Sequence, residues 1–151
     1  MAARRAWRLV PELAEFEGTW RLERDVVHEG APPARFEGEA RLNPGQGGLV
    51  YREAGVLTVA GQAPMRAERA YLWRAGKSGG IDVMFEDGRF FHSITEDGEA
   101  QHWCDPDMYD VQYDFAGWPQ WRAIWAVSGP RKAYRMVSRY APSVGEVNSL
   151  P

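Results

Sequence analysis

Between Glu99 and Phe115 the chain reads EAQHWCDPDMYDVQYDF, which brings His102, the sole cysteine Cys104, Asp105, Asp107, Tyr109 and Tyr113 into one short stretch. With His92 upstream, this gives imidazole, thiolate and carboxylate groups, all competent ligands for zinc or another transition metal. The spacing of His92, His102, Cys104, Asp105 and Asp107 matches no zinc signature, however, and Asp and Pro are the residues that shape turns. Cys104 and His102, two apart on a strand, would share a face. A reactive thiol also needs a depressed pKa and a reachable pocket. No metal and no cofactor are expected.

A second constellation is spread along the chain: Arg24, Glu53, Arg69 and Lys132, with Tyr109, Tyr113, Tyr134, His92, His102 and Cys104. Several cations on otherwise apolar faces need partners, because an unpaired buried charge costs several kcal/mol. Internal pairing, for instance Glu53 with Arg69, or stems snorkelling to a rim would satisfy them. So would an anionic ligand, and the sequence leaves both readings open. The glycine-rich GQGG and GKSGG segments do not lead into helices, so they are hairpin loops rather than phosphate cradles.

These residues sit on short alternating segments cut by Gly and Pro, the pattern of an all-β chain. Ten strands are expected: 19–27, 34–42, 49–56, 65–74, 80–86, 89–95, 100–104, 109–115, 120–128 and 132–140. NPGQGG, RAGKSGG, EDG (twice), DPDM and SGPR supply the turns. VPELAEFEG before them reads as one or two helical turns, with Pro11 tolerated early. Short antiparallel strands leave exposed edges unless the sheet closes, which favours a closed antiparallel barrel over an open sheet or sandwich. The whole chain, 1–151, is one domain, with a loose tail from about 142.

Alternation then selects the lumen. Trp20, Leu22, Arg24 and Val26 share one face, as do Phe36, Gly38, Ala40 and Leu42. Further along, Leu49, Tyr51 and Glu53 form such a face; Arg69, Tyr71 and Trp73 form another. Tyr109, Val111, Tyr113 and Phe115 lie opposite the polar Asp110, Gln112 and Asp114. Lys132, Tyr134, Met136, Ser138 and Tyr140 are the less charged side of the last strand. A four-residue DPDM loop would pair Cys104 with Tyr109 and His102 with Val111, sending His102 and Cys104 inward. A three-residue loop at Glu96–Gly98 would pair His92 with His102. A two-residue turn at Glu86–Gly88 would bring His92 inward beside Val83. A one-residue slip would instead turn Trp103 in.

The FEGTW segment, Phe16–Trp20, follows the short helix and opens the first strand, and it resembles the Gly-x-Trp signature of lipocalin-like (calycin) barrels. From Phe16 to Tyr140, with FFH, HWCDPDMYDVQY and GPRKAY, the chain is similar to a bacterial family of lipocalin-like domains of unknown function. The resemblance implies a calycin-like barrel of about ten strands with a short N-terminal helix, and it carries no catalytic residues over. It also implies that Trp20 closes one barrel end beneath a basic residue of the last strand, here Arg135 or Arg139. Haem-binding barrels of the superfamily are less similar: their glycine-rich opening pattern is missing, and no His follows His102.

Eighteen Lys and Arg against 21 Asp and Glu give a net charge of −3, which offers nucleic acid no overall attraction. One cysteine permits no internal disulfide and suits a reducing compartment. Arg8, Pro11, Glu12 and Glu15 interrupt any signal-like apolar run, and no long uncharged run could span a bilayer. A cytoplasmic protein is expected, without nucleic-acid or membrane partners and with homodimerisation left open. Two functions fit. One is a barrel binding a small anionic or aromatic molecule, with cations meeting its charge and aromatic faces stacking on its ring. The other is a small lyase or isomerase using Tyr109, Tyr113 or His102 as acid–base and Arg24 or Arg69 as carboxylate anchor. Calycin-like decarboxylases of phenolic acids resemble this chain in lumen composition alone.

Overall fold

The computed structural model describes residues 10–143. Ten antiparallel strands follow a single 3-10 turn at Leu13–Phe16. They are β1 (Gly18–His28), β2 (Ala34–Gly45), β3 (Gly48–Val59), β4 (Met65–Ala75), β5 (Ile81–Phe85), β6 (Phe90–Ile94), β7 (Glu99–Cys104), β8 (Asp107–Asp114), β9 (Trp121–Ser128) and β10 (Ala133–Pro142). The expected helix is thus only one tight turn, in which Glu15 accepts the Glu12 backbone N–H at 2.7 Å. Of the expected tail, Pro142 ends β10 and the Ser143 N–H reaches Thr19 O at 3.1 Å; the rest lies outside the described residues.

The strands pair in the order β6-β5-β4-β3-β2-β1-β10-β9-β8-β7. β1 and β10 join the two ends of the chain, and β6 and β7 meet across a seam without ladder pairing, so the barrel is nearly closed. Side chains close the seam: His102 of β7 packs its ring 5.3 Å from Phe91 and 6.0 Å from Phe85.

One end is an aromatic plug. Phe16 is wholly buried, and Trp118, Trp73, Trp121 and Phe115 surround it at 4.9–5.8 Å. Trp20 joins them, donating its indole N–H to Phe16 O at 2.9 Å. The expected cation beneath Trp20 is absent, for a reason of parity. Tyr134, Met136, Ser138 and Tyr140 take the inward face of β10, so Arg135 and Arg139 project outward, where Arg139 pairs with Asp25. The other end, where β1 finishes and β2 begins, is open.

Candidate functional site

Strand alternation delivers Arg24, Glu53 and Arg69 to one level of the lumen. Arg24 on β1 and Glu53 on β3 are separated by β2, whose inward residues at this level, Gly38 and Ala40, are small enough for the guanidinium to cross. The pair is bidentate: Nη1 to Oε2 at 2.6 Å and Nη2 to Oε1 at 2.9 Å, while Nε donates to the Ser138 hydroxyl at 2.7 Å. Arg24 is 6% exposed and Glu53 3%. Burial opposes the charge on each, and the paired hydrogen bonds outweigh it. Glu53 is therefore held below the ordinary carboxylate range and Arg24 is raised further.

Tyr51 donates its O–H to Glu53 Oε1 at 2.6 Å, so the 2.7 Å contact between the Tyr51 and Tyr140 hydroxyls is donated by Tyr140. Tyr140 in turn stacks flat on Trp121 at 3.7 Å. Burial pushes Tyr51 well above its usual range and Tyr140 up to about 12, keeping both as neutral donors.

Arg69 is held differently. Opposite Glu53 in the ladder, it brings Nε to 3.5 Å from Glu53 Oε2, and Nη1 to 3.4 Å from the Tyr71 hydroxyl. Its side chain is 40% exposed and lies 5.9 Å above the Trp125 ring. Glu53 neutralises one of the two cations, so the cluster carries one positive charge in excess, on the more loosely held Arg69.

Arg24, Glu53 and Arg69 partition the lumen. Towards the open end lies a cup of about 290 Å³, walled mainly by Val26, Phe36, Leu57, Ala67, Tyr134 and Met136, with His28 and Glu68 also on its lining and Arg24, Glu53 and Arg69 at its floor; Glu68 is paired with Arg66 at 3.8 Å. Beneath them is a chamber of only about 20 Å³. An outer groove of about 320 Å³ passes Arg21, Arg122 and Arg139, but Arg122 is paired with Asp114 and Arg139 with Asp25.

The other expected residues fall into three places. Tyr134 stands on the cup wall. His92 is buried, with Nε2 2.8 Å from the Tyr113 hydroxyl; burial and then the neighbouring His102 lower its pKa to about 3. His102 and Tyr109 are half-buried near the seam around Phe91. Cys104 and Lys132 are not brought to the site. Cys104 is exposed at the β7–β8 tip, because the turn is the two residues Asp105–Pro106 and Cys104 pairs with Asp107. The ladder is therefore two residues tighter than expected: His102 opposes Tyr109, its parity is kept, and Trp103 stays outside, 58% exposed. Asp107, expected in the exposed turn, is buried and holds the exposed Lys132 at 3.1 Å. Tyr51, Ser138, Tyr140 and Trp121 complete the site although they were not singled out for it; for the first three, inward parity was the available signal. Among the described residues no cluster of three or more His, Cys, Asp or Glu could hold a metal.

Residues 16–142 match DUF6314, described as a family of unknown function. The chain belongs to that family. No curated protein matches the sequence. Among solved structures, the S-type phycobiliprotein lyase CPES from Guillardia theta superposes with a TM-score of 0.61 at 9% identity, over 87% of this chain and 90% of that one. At that identity the likeness is one of fold, and it agrees with the calycin-like barrel. No helix among the described residues is long and apolar enough to cross a membrane.

Proposed function

We propose that this DUF6314 barrel binds a small aromatic or otherwise apolar molecule bearing one anionic group, with the body in the cup and the anion on Arg69. The observation that carries this reading is the loosely held Arg69 guanidinium, one charge in excess of Glu53 at the floor of a largely apolar cup whose remaining carboxylate, Glu68, is paired with Arg66. A carboxylate there would gain charge-assisted hydrogen bonds in partly desolvated surroundings. The single cysteine suits a cytoplasmic setting, and the ligand is a metabolite-sized molecule rather than a macromolecule.

Proton transfer is the lesser reading. Of its candidate acid–base groups, Tyr113 is pushed well above the usual phenol range, and His102 and Tyr109 line neither the cup nor the chamber; the buried Tyr51 and His92 are likewise moved away from neutral-pH work. Calorimetric titration with benzoate and 4-hydroxybenzoate, against neutral benzamide, tests the proposal. Both carboxylates should bind and benzamide should not, and Arg69→Gln should weaken carboxylate binding about tenfold or more, as loss of one charge-assisted contact implies. Equal binding of benzamide, or an Arg69→Gln variant with unchanged affinity, would refute it.

A further inference from the structure

The chamber beneath the ion cluster has a chemistry of its own. His92, Tyr113, Trp121, Tyr71, Phe91 and Trp125 are among the residues lining its roughly 20 Å³, the space of one water-sized group. Two residues of that lining each carry a buried nitrogen without a hydrogen-bond partner among the described residues, Nδ1 of His92 and Nε1 of Trp121. Each residue is only 2% exposed. Native interiors rarely leave such groups unmet, and here both are carried by residues that line a single small chamber.

The hydrogen-bond balance fixes their sense. The His92 ring is neutral, so one nitrogen carries a proton and the other a lone pair. Tyr113 keeps its phenolic proton, because burial pushes its pKa well up, and among the described residues its one hydrogen bond is to His92 Nε2. If Tyr113 donates, that proton is satisfied and the ring hydrogen sits on Nδ1. The opposite tautomer would leave the phenolic proton with no protein acceptor among the described residues. Nδ1–H is therefore a donor, as the indole Nε1–H always is.

We propose that the chamber is a binding subsite for one neutral hydrogen-bond-accepting oxygen, held by His92 Nδ1–H and Trp121 Nε1–H. A charged oxygen is disfavoured because both donors are neutral and Arg24 is already committed to Glu53 and Ser138. The oxygen has two possible sources: a water, or a carbonyl or hydroxyl at the deep end of a molecule lying in the cup. The second source rests on the binding role proposed above, since displacing Arg69 from its 3.4 and 3.5 Å contacts would join cup and chamber.

The test begins with ligand-free, ¹⁵N-labelled protein. Long-range imidazole correlations should show His92 protonated at Nδ1, and the His92 Nδ1–H and Trp121 Nε1–H protons should both cross-relax with water. A high-resolution crystal structure should place one oxygen within about 3.2 Å of both nitrogens. A ring protonated at Nε2, or a chamber with neither density nor water cross-peaks, overturns the subsite whatever Arg69 does. Trp121→Phe should reduce the His92 water cross-peak at least severalfold; an unchanged peak in the folded variant also overturns it. Should Trp121→Phe not fold, the wild-type measurements still decide. Saturation with 4-formylbenzoate assigns the source: loss of the water peaks identifies a ligand oxygen, and their persistence a resident water, the subsite standing in either case. Failure of Arg69→Gln to weaken 4-formylbenzoate binding would count against the carboxylate reading and leave the chamber result untouched.

Discussion

Trp20 packs against Trp118 and Trp121 and satisfies its indole N–H on Phe16 O, so truncation removes a core ring and strands a buried carbonyl. Trp20→Ala should cost about 3–5 kcal/mol in a urea melt; a loss within error would show that the plug does not depend on it. His92 makes a different kind of contribution. Its folded pKa, about 3, lies below the ordinary 6.5. The unfolded chain therefore takes up a proton as pH falls through 6.5, whereas the native state resists until about 3. The contribution of His92 is full above pH 6.5 and is lost progressively down to the lower value, by about 1.4 kcal/mol per pH unit where the slope is greatest. Between pH 6 and 5 the wild type should lose stability faster than His92→Phe, and parallel curves from urea melts would contradict the buried neutral ring. At the β7–β8 tip, exposed Cys104 should react with thiol reagents at nearly the unfolded rate, and benzoate should not protect it. Slow, ligand-sensitive labelling would place the thiol inside after all.

In the ladder of β2 and β3, Gly38 opposes Gly55. A Cβ on Gly55 would lie 2.8 Å from Cζ of Phe36, and one on Gly38 would lie 2.6 Å from the Gly55 Cα, with still closer clashes against the backbone oxygens of Glu37 and Ala54 respectively. The paired glycines thus let Phe36 fold over β3 and leave room for Arg24 to cross β2. Gly55→Ala should destabilise by about 1–3 kcal/mol through overpacking, readable as a lower melting temperature; a neutral change would mean the strands part easily. Elements of this kind were legible in the sequence because period-2 alternation is strong where one face is apolar and the other charged. Tyr109, Val111 and Tyr113 opposite Asp110, Gln112 and Asp114 are the clearest case. Turn geometry was harder to read. Both EDG segments turn with the Gly N–H bonded back three residues, Gly88 to Phe85 and Gly98 to Thr95. Only the first, a three-residue loop, joins paired strands; β6 and β7 form no ladder, so the expected pairing of His92 with His102 is not made. His92 nevertheless opposes Val83, because a bulge at Phe91 absorbs the extra residue and buries Phe91 and His92 side by side. The tripeptide carries no sign of that bulge. Nor did alternation reveal that Lys132 lies before β10 begins and faces Asp107 rather than the lumen.

At the scale of the molecule, the barrel divides its polar residues between scaffold and site. Arg24, Glu53, Ser138, Tyr51 and Tyr140 form one hydrogen-bonded chain from β1 through β3 to β10 with every charge matched. Arg69 brings charge that the chain does not use, and it stands at the floor of the cup. Removing one partner of the buried pair should therefore be costly. Arg24→Met leaves Glu53 with Arg69 as its only charged partner in the lumen and should destabilise by about 3–5 kcal/mol. The double variant Arg24→Met/Glu53→Leu removes both buried charges and should recover most of that loss, since an apolar replacement of a buried ion pair is often neutral. The two single substitutions should be strongly non-additive in a double-mutant cycle. The double variant also keeps the excess positive charge on Arg69, so it should still bind benzoate, to within about threefold of wild type, while Arg69→Gln should bind it about tenfold or more weakly. Chemical denaturation and calorimetry on the wild type, the two single variants, the double variant and Arg69→Gln separate the roles. A double variant that folds but has lost benzoate binding would move Arg24 or Glu53 from the scaffold into the binding site.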